Sequence, residues 1–121
     1  MKSVTLSTAK AVLGKAVIRA GEGLGLDDSD LSAVLDEQVS TVLHLRHRHE
    51  LLQPCTEAWG RALLLVELYQ SLLTLVGTEQ KAKIWLNSQN RGLSGRPRNF
   101  ITCRMGLEQV VQYLAASRSL I

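Results

Sequence analysis

Between Thr56 and Gly77 the chain reads TEAWGRALLLVELYQSLLTLVG, and no other stretch restricts the fold as much. A residue suited to cap a helix start stands at one end, and glycine, the usual helix stop, at the other. Between them Ala62, Leu63, Val66, Leu73 and Val76 fall at helical spacing, and Leu64, Leu65, Leu68 and Leu72 widen the stripe. A helix of roughly twenty residues that is this apolar is central to its domain or faces a second partner as well. It contains Glu67 and Gln70 and is too short to span a bilayer, so no membrane partner is expected. Apolar residues make up 45% of the 121, which argues against disorder, yet aromatics are only 4%. The core must therefore be built from Leu, Val and Ala, which favours helices.

The flanking segments repeat this logic. Val12, Leu13, Ala16, Val17 and Ala20 recur at helical spacing, Gly21, Gly23 and Gly25 are expected to stop that helix, and Leu24 and Leu26 to tuck under it. Asp27 or Asp28 can cap a short second helix whose buried face is Leu31, Val34 and Leu35. Asp36-Glu37-Gln38 makes a turn, and a third helix follows with Val39, Val42, Leu43 and Leu45 inward. Pro54 marks a joint between two modules. Beyond the long helix, Thr78 caps a shorter one ending at Trp85-Leu86, and Thr102 caps a last one with Leu107, Val110, Val111 and Leu114 on one side. No stretch alternates with period two for long enough to make a strand. The expected fold is all-α, with a helix-turn-helix-like module over residues 1–53 and a small helical domain over 54–121.

The net charge of +3 points weakly to an anionic partner, but its distribution is uneven. From Gly21 to Leu43 there is no Lys or Arg, against Glu22, Asp27, Asp28, Asp30, Asp36 and Glu37. From Arg91 to Arg104 there are four Arg and no acid. Cys55 and Cys103 fit no CxxC motif and are expected to be free, buried thiols. His44 and His47 stand one helical turn apart, but zinc needs three or four suitable ligands, so no metal is expected. No nucleophile–base set, paired carboxylate site or phosphate loop is visible, so neither an enzyme nor a cofactor is expected. Charges interrupt every apolar run of MKSVTLSTAKAVLGKAV, which reads as neither a secretory leader nor a transit peptide, and a cytoplasmic location follows.

LDDSDLSAVLDEQVSTVLHLR is similar in spacing to the helix-turn-helix of Xre-type repressors. Leu31, Leu35 and Val42 fall on core positions. Gln38, Ser40, Thr41 and His44 would face a major groove, with Arg46 and Arg48 on phosphates. The pattern departs at the turn, where Asp36 replaces a usual glycine and Glu37 a usual apolar residue. Carboxylates there oppose phosphate binding, so two readings stand: an operator-DNA reader, or a three-helix module kept for dimerisation or packing.

The second half carries a more specific order of motifs: ALLLVELYQSLLTLVG, a helix ending in WL, NRGLSGRP, an apolar pair, and GLEQVVQYLAASR. Together they resemble the toxin-binding domain of the Xre/MbcA/ParS antitoxins, and LGKAVIRAGEGLGL resembles the entry helix of those proteins. The resemblance implies an antitoxin that neutralises a RES-type, NAD-consuming toxin, with its C-terminal end approaching or covering the active site. It also implies a homodimer, a hetero-oligomer with the toxin, and autoregulation through operator DNA. Carried onto this chain, the toxin-binding residues are Asn90, Arg91, Arg96, Arg98, Tyr113, Ser117, Arg118, Leu120 and Ile121. The alternative is a stand-alone helix-turn-helix regulator with no toxin partner. The loop itself reads as stiff. Gly92 and Gly95 permit backbone angles closed to other residues, Pro97 fixes its own, and Asn90 tolerates the left-handed conformation. Trp85, Phe100 and Ile101 are expected to pin it from the core, while Arg96 either links to a helix end, Glu67 or Glu108, or meets a partner.

Overall fold

The computed structural model describes residues 2–47 and 52–119. Among them the chain forms seven helices: α1 (Lys2–Leu24), α2 (Asp28–Leu35), α3 (Val39–Arg46), α4 (Glu57–Val76), α5 (Glu79–Asn87), α6 (Pro97–Phe100) and α7 (Arg104–Ser119). The described residues hold no strand, only an isolated antiparallel bridge between Asn90 and Gly95. The fold is all-α, as the apolar spacing requires.

Most helix ends are set by the residues that sequence reasoning picks. Asp27 and Asp30 form a capping box at the start of α2: the Asp30 N–H donates to Asp27 Oδ1 at 2.7 Å, and the Asp27 N–H to Asp30 Oδ2 at 3.1 Å. The Thr56 hydroxyl accepts the Trp59 N–H at 3.2 Å and the Thr78 hydroxyl the Lys81 N–H at 3.2 Å, opening α4 and α5. α4 closes at Gly77 with φ +90°.

Five expectations need correction. α1 runs through Gly21 and Gly23 and stops only at Gly25, where φ is +75°. The two interior glycines serve close approach: a Cβ on Gly21 would lie 3.3 Å from Leu31 Cδ2, and one on Gly23 2.4 Å from the Tyr69 ring. On α3, Val42 and Leu45 are buried, but Val39 and Leu43 are 42% and 40% exposed, because eight residues offer only one inward seam. On α4 the buried seam is Ala58, Ala62, Leu65, Leu68, Ser71 and Leu72, and Leu63 is half exposed. Finally, Cys55 and Cys103 are free but exposed thiols. Cys103 rather than Thr102 opens α7, its Sγ accepting the Gly106 N–H at 3.4 Å.

α4 and α7 pack side by side and run parallel. At one end Arg104 Nη1 meets Glu57 Oε1 at 3.2 Å, and at the other Arg118 Nη1 donates to Ser71 Oγ at 2.8 Å; both pairs are 47 residues apart in sequence. α5 leaves α4 at 109°. One buried cluster extends from Leu13 to Leu114 and takes in α1, α2 and α3 as well as α4, α5 and α7. Pro54 stands in the turn leading into α4. No single described helix is long and apolar enough to cross a membrane.

The turn between α2 and α3 generates a stability prediction. Asp36 occupies the left-handed C-cap of α2, with φ 56° and ψ 47°, where a Cβ costs about 1 kcal/mol relative to glycine. Its side chain is exposed, and no ion pair holds it among the described residues. Asp36→Gly is therefore expected to raise the unfolding free energy by about 0.5–1 kcal/mol in urea titration.

Candidate functional site

Gln38 and Ser40 lie exposed at the start of α3, with Ser40 Oγ 3.4 Å from Gln38 Oε1; His44 is exposed one turn on, and Thr41 is half-buried. The fold thus gathers four of the proposed groove-facing residues on one short helix. Arg46, the one Lys or Arg on α3, does not join them freely. Its Nη2 lies 2.5 Å from Asp28 Oδ1 and its Nη1 3.0 Å from Glu22 Oε2, so it ties α3 to α2 and α1. Arg48 lies outside the described residues. Asp36 and Glu37 are exposed at the head of the helix.

The loop from Asn90 to Gly95 is closed by its own backbone. Asn90 N–H donates to Gly95 O at 2.9 Å, and Gly95 N–H to Asn90 O at 3.1 Å. Asn90 Oδ1 accepts the Leu93 N–H at 3.2 Å, and Leu93 plunges into the core, 4% exposed. The left-handed residue is Ser94, with φ 62°, and not Asn90 or either loop glycine. Gly92 and Gly95 are required for clearance instead. A Cβ on Gly92 would stand 2.5 Å from Tyr113 Cε1, and one on Gly95 2.9 Å from Phe100 Cε1. The loop is therefore laid against two rings. Tyr113 in turn stacks on Trp85, centroids 6.4 Å apart and planes at 25°. Ile101 is fully buried, whereas Trp85 and Phe100 are only half-buried against the core.

The four arginines of the basic stretch divide evenly. Arg98 bonds the Asp30 carboxylate and, at 3.4 Å, Asn87 Oδ1, so it fastens α6 to α2 and α5. Arg104 bridges Glu57 at 3.2 Å and Glu108 at 3.4 Å. Arg91 and Arg96 are exposed and form no ion pair among the described residues. Arg96 thus reaches neither Glu67 nor Glu108. On α7, Ser117 Oγ donates to Tyr113 O at 2.9 Å, and Arg118 folds back onto the buried Ser71. Leu120 and Ile121 lie outside the described residues.

Elsewhere, Glu79 accepts a bond from the Tyr69 hydroxyl and pairs with Arg19 Nη2 at 2.5 Å, clamping α1, α4 and α5 together. The Tyr69 bond first, then Arg19, holds the Glu79 carboxyl below the usual range. Sequence reasoning missed Ile84, which is 60% exposed on α5. Its signal was available: Ile84 lies off the Ala82–Leu86 seam that α5 buries.

Two predictions follow from this geometry. Gly92→Ala drives a methyl into Tyr113 and should cost about 1–3 kcal/mol in denaturant titration, with a change in Trp fluorescence as the stack shifts. For Asp30, burial pushes the carboxyl up, but the Asp27 N–H and Arg98 outweigh it and hold the group below its ordinary value. A depressed folded-state pKa gives stability that is present above the unfolded value of about 3.9 and lost as pH falls through the folded one. Asp30→Asn should therefore lower stability at neutral pH and flatten the loss below about pH 4, read by thermal melts across pH.

No curated protein matches the chain. Residues 71–119, from the middle of α4 to the end of the described α7, match the family model described as the antitoxin Xre/MbcA/ParS C-terminal toxin-binding domain. The matched span contains the glycine loop, the Trp85–Tyr113 stack and both unpaired arginines, so the likeness to an antitoxin's toxin-binding domain rests on this part of the fold.

Proposed function

We propose that this chain is a cytoplasmic antitoxin that binds a RES-type, NAD-consuming toxin and silences it with the surface formed by α5, the glycine loop and α7. The observation that carries the reading is the match over residues 71–119, which falls on the part of the fold that holds a stiff loop and two unpaired cations outward. The C-terminal end of α7 is the segment offered to the toxin's nucleotide pocket. Its Arg118 is held against Ser71, so the end of the helix keeps a fixed direction rather than acting as a loose tail. An ordered element forms an inhibitory contact with less entropy lost on binding.

A second activity, operator binding by a homodimer, rests on the tight α2–α3 turn and the exposed Gln38, Ser40 and His44. The internal pairing of Arg46 and the exposed Asp36 and Glu37 weigh against strong phosphate contact. The stand-alone regulator is disfavoured on the same ground.

Co-expression with a RES-type toxin from the adjoining reading frame tests the main reading. Co-elution on size exclusion and preserved cellular NAD are expected. Truncation after Ala116 should leave a folded protein that still binds but no longer preserves NAD; equal protection by the truncated chain would assign inhibition to the wider surface. For the second activity, Arg46→Ala is expected to lower the melting temperature, because it leaves Glu22 and Asp28 without their partner. A salt-steep gel shift of the native promoter that Arg46→Ala abolishes without destabilising the fold would restore Arg46 to a phosphate-binding role.

A further inference from the structure

α4 is apolar on two sides, and its buried seam accounts for one of them. That seam runs through Ala62, Leu65, Leu68 and Leu72. Side chains three and four residues apart share one side of a helix, so Trp59, Leu63, Val66, Gln70 and Leu73 form a second line about four turns long. Its borders show which way it faces. α7 lies along one edge: a Cβ on Gly60 would stand 2.9 Å from Arg104 Nη1, and Ser71 Oγ accepts a bond from Arg118 at 2.8 Å. α1 lies along the other, where a Cβ on Gly23 would meet the Tyr69 ring at 2.4 Å. Between those edges Leu63 is 50% exposed, Glu67, Gln70 and Thr74 are exposed, and Trp59, Val66 and Leu73 are half-buried.

The spacing and composition of this outer line name its occupant. Steps of four, three, four and three residues are the heptad rhythm, which takes another helix knobs-into-holes. The line carries no charge, and its single polar member, Gln70, needs both a donor and an acceptor once water is removed. The Gln70 amide of a second copy supplies both. Four of the five residues also precede residue 71, where the match to the toxin-binding domain begins. The line therefore lies largely outside the segment that the antitoxin likeness covers.

We infer that the outer line of α4 pairs with the α4 of a second copy, the two helices side by side and running the same way. The direction follows from Gln70 and Glu67. In a parallel pair Gln70 faces Gln70 of the second copy, and the two Glu67 carboxylates, one at the border of each line, fall on opposite sides of the interface. An antiparallel pair centred on Val66 sets Gln70 against Leu63 and brings both Glu67 carboxylates to one border. An amide without a partner and a like-charge contact both disfavour that arrangement. A single polar pair in an otherwise apolar heptad line fixes register and the number of chains. The inference goes beyond the antitoxin reading and does not rest on it.

Sedimentation equilibrium of the full chain, from micromolar to hundred-micromolar concentration, should give twice the 13.3 kDa of one copy. Leu63→Glu changes a side chain that is already half exposed, and should raise the dimer dissociation constant about tenfold or more with an unchanged circular dichroism spectrum. Met105→Gln, at an 80%-exposed position on α7, should leave that constant as it is. In a chain carrying Cys55→Ser and Cys103→Ser, Gln70→Cys should link two copies under oxidised glutathione, because the parallel pair sets the two thiols face to face. Thr74→Cys, off the line, should not. A wild-type chain that is monomeric throughout, a dimer untouched by Leu63→Glu, or a Gln70→Cys chain that does not link overturns the inference. A Leu63→Glu chain that stays dimeric but no longer co-elutes with the RES-type toxin would assign the outer line to the toxin instead.

Discussion

The parallel packing of α4 and α7 is the constraint on which the rest of the C-terminal half depends. Two adjacent helices that run the same way cannot be joined by a short turn. The chain leaves α4 at Val76 and must start α7 level with Glu57, which means travelling back about 28 Å at the helical rise of 1.5 Å per residue. α5, the glycine loop and α6 make that return. The 109° turn into α5 sends the chain across the bundle, and the loop redirects it to the foot of α7. A flexible connection would also close the distance, but it would not fix the register that Glu57–Arg104 and Ser71–Arg118 hold at the two ends.

This explains why so many cations surround so stiff a loop. Half of them are consumed by the return path itself: Arg98 fastens α6 to α2, and Arg104 locks the foot of α7 to α4. A charged side chain shared between two elements at 29–38% exposure is worth more for orientation than for stability, since exposed pairs contribute little energy. The other half, Arg91 and Arg96, have no such duty. The paired arginines stand within α6 and α7, and the unpaired ones in the loop and at the N-cap of α6.

The sequence made the helix inventory legible because caps and stops are local. Asp27, Thr56, Thr78 and Gly77 act through bonds or backbone angles within four residues, so no tertiary knowledge is needed. Which face of α4 turns inward was not legible. Leucines occupy nearly every direction around that helix, and the choice of Leu65 over Leu63 is made by α1, α2 and α7 pressing from outside. The glycines misled for a related reason. Gly21, Gly92 and Gly23 look like backbone freedom in the sequence, but their partners Leu31, Tyr113 and Tyr69 lie 10, 21 and 46 residues away, too far for local reasoning. The roles of Arg46 and Arg98 were hidden likewise, because Glu22, Asp28 and Asp30 reach them only through the fold.

Asp30 is where the two halves of the chain meet. It is the third residue of α2, and its carboxylate closes the capping box back to Asp27 while accepting Arg98 from α6. α2 thus takes its start from a residue that the return path also uses, and α3 follows after a turn of three residues. Arg98 thus holds the start of the same helix whose far end carries Asp36. Arg61 adds a second tie in the same place, reaching the Val34 carbonyl of α2 and the Thr102 carbonyl before α7, each at 3.4 Å. The acidic N-terminal stretch and the basic C-terminal one, so separate along the sequence, are in this fold two sides of one joint. The exposed α3 and the segment that follows the glycine loop are therefore both fastened to α2, through Arg46–Asp28 and Arg98–Asp30.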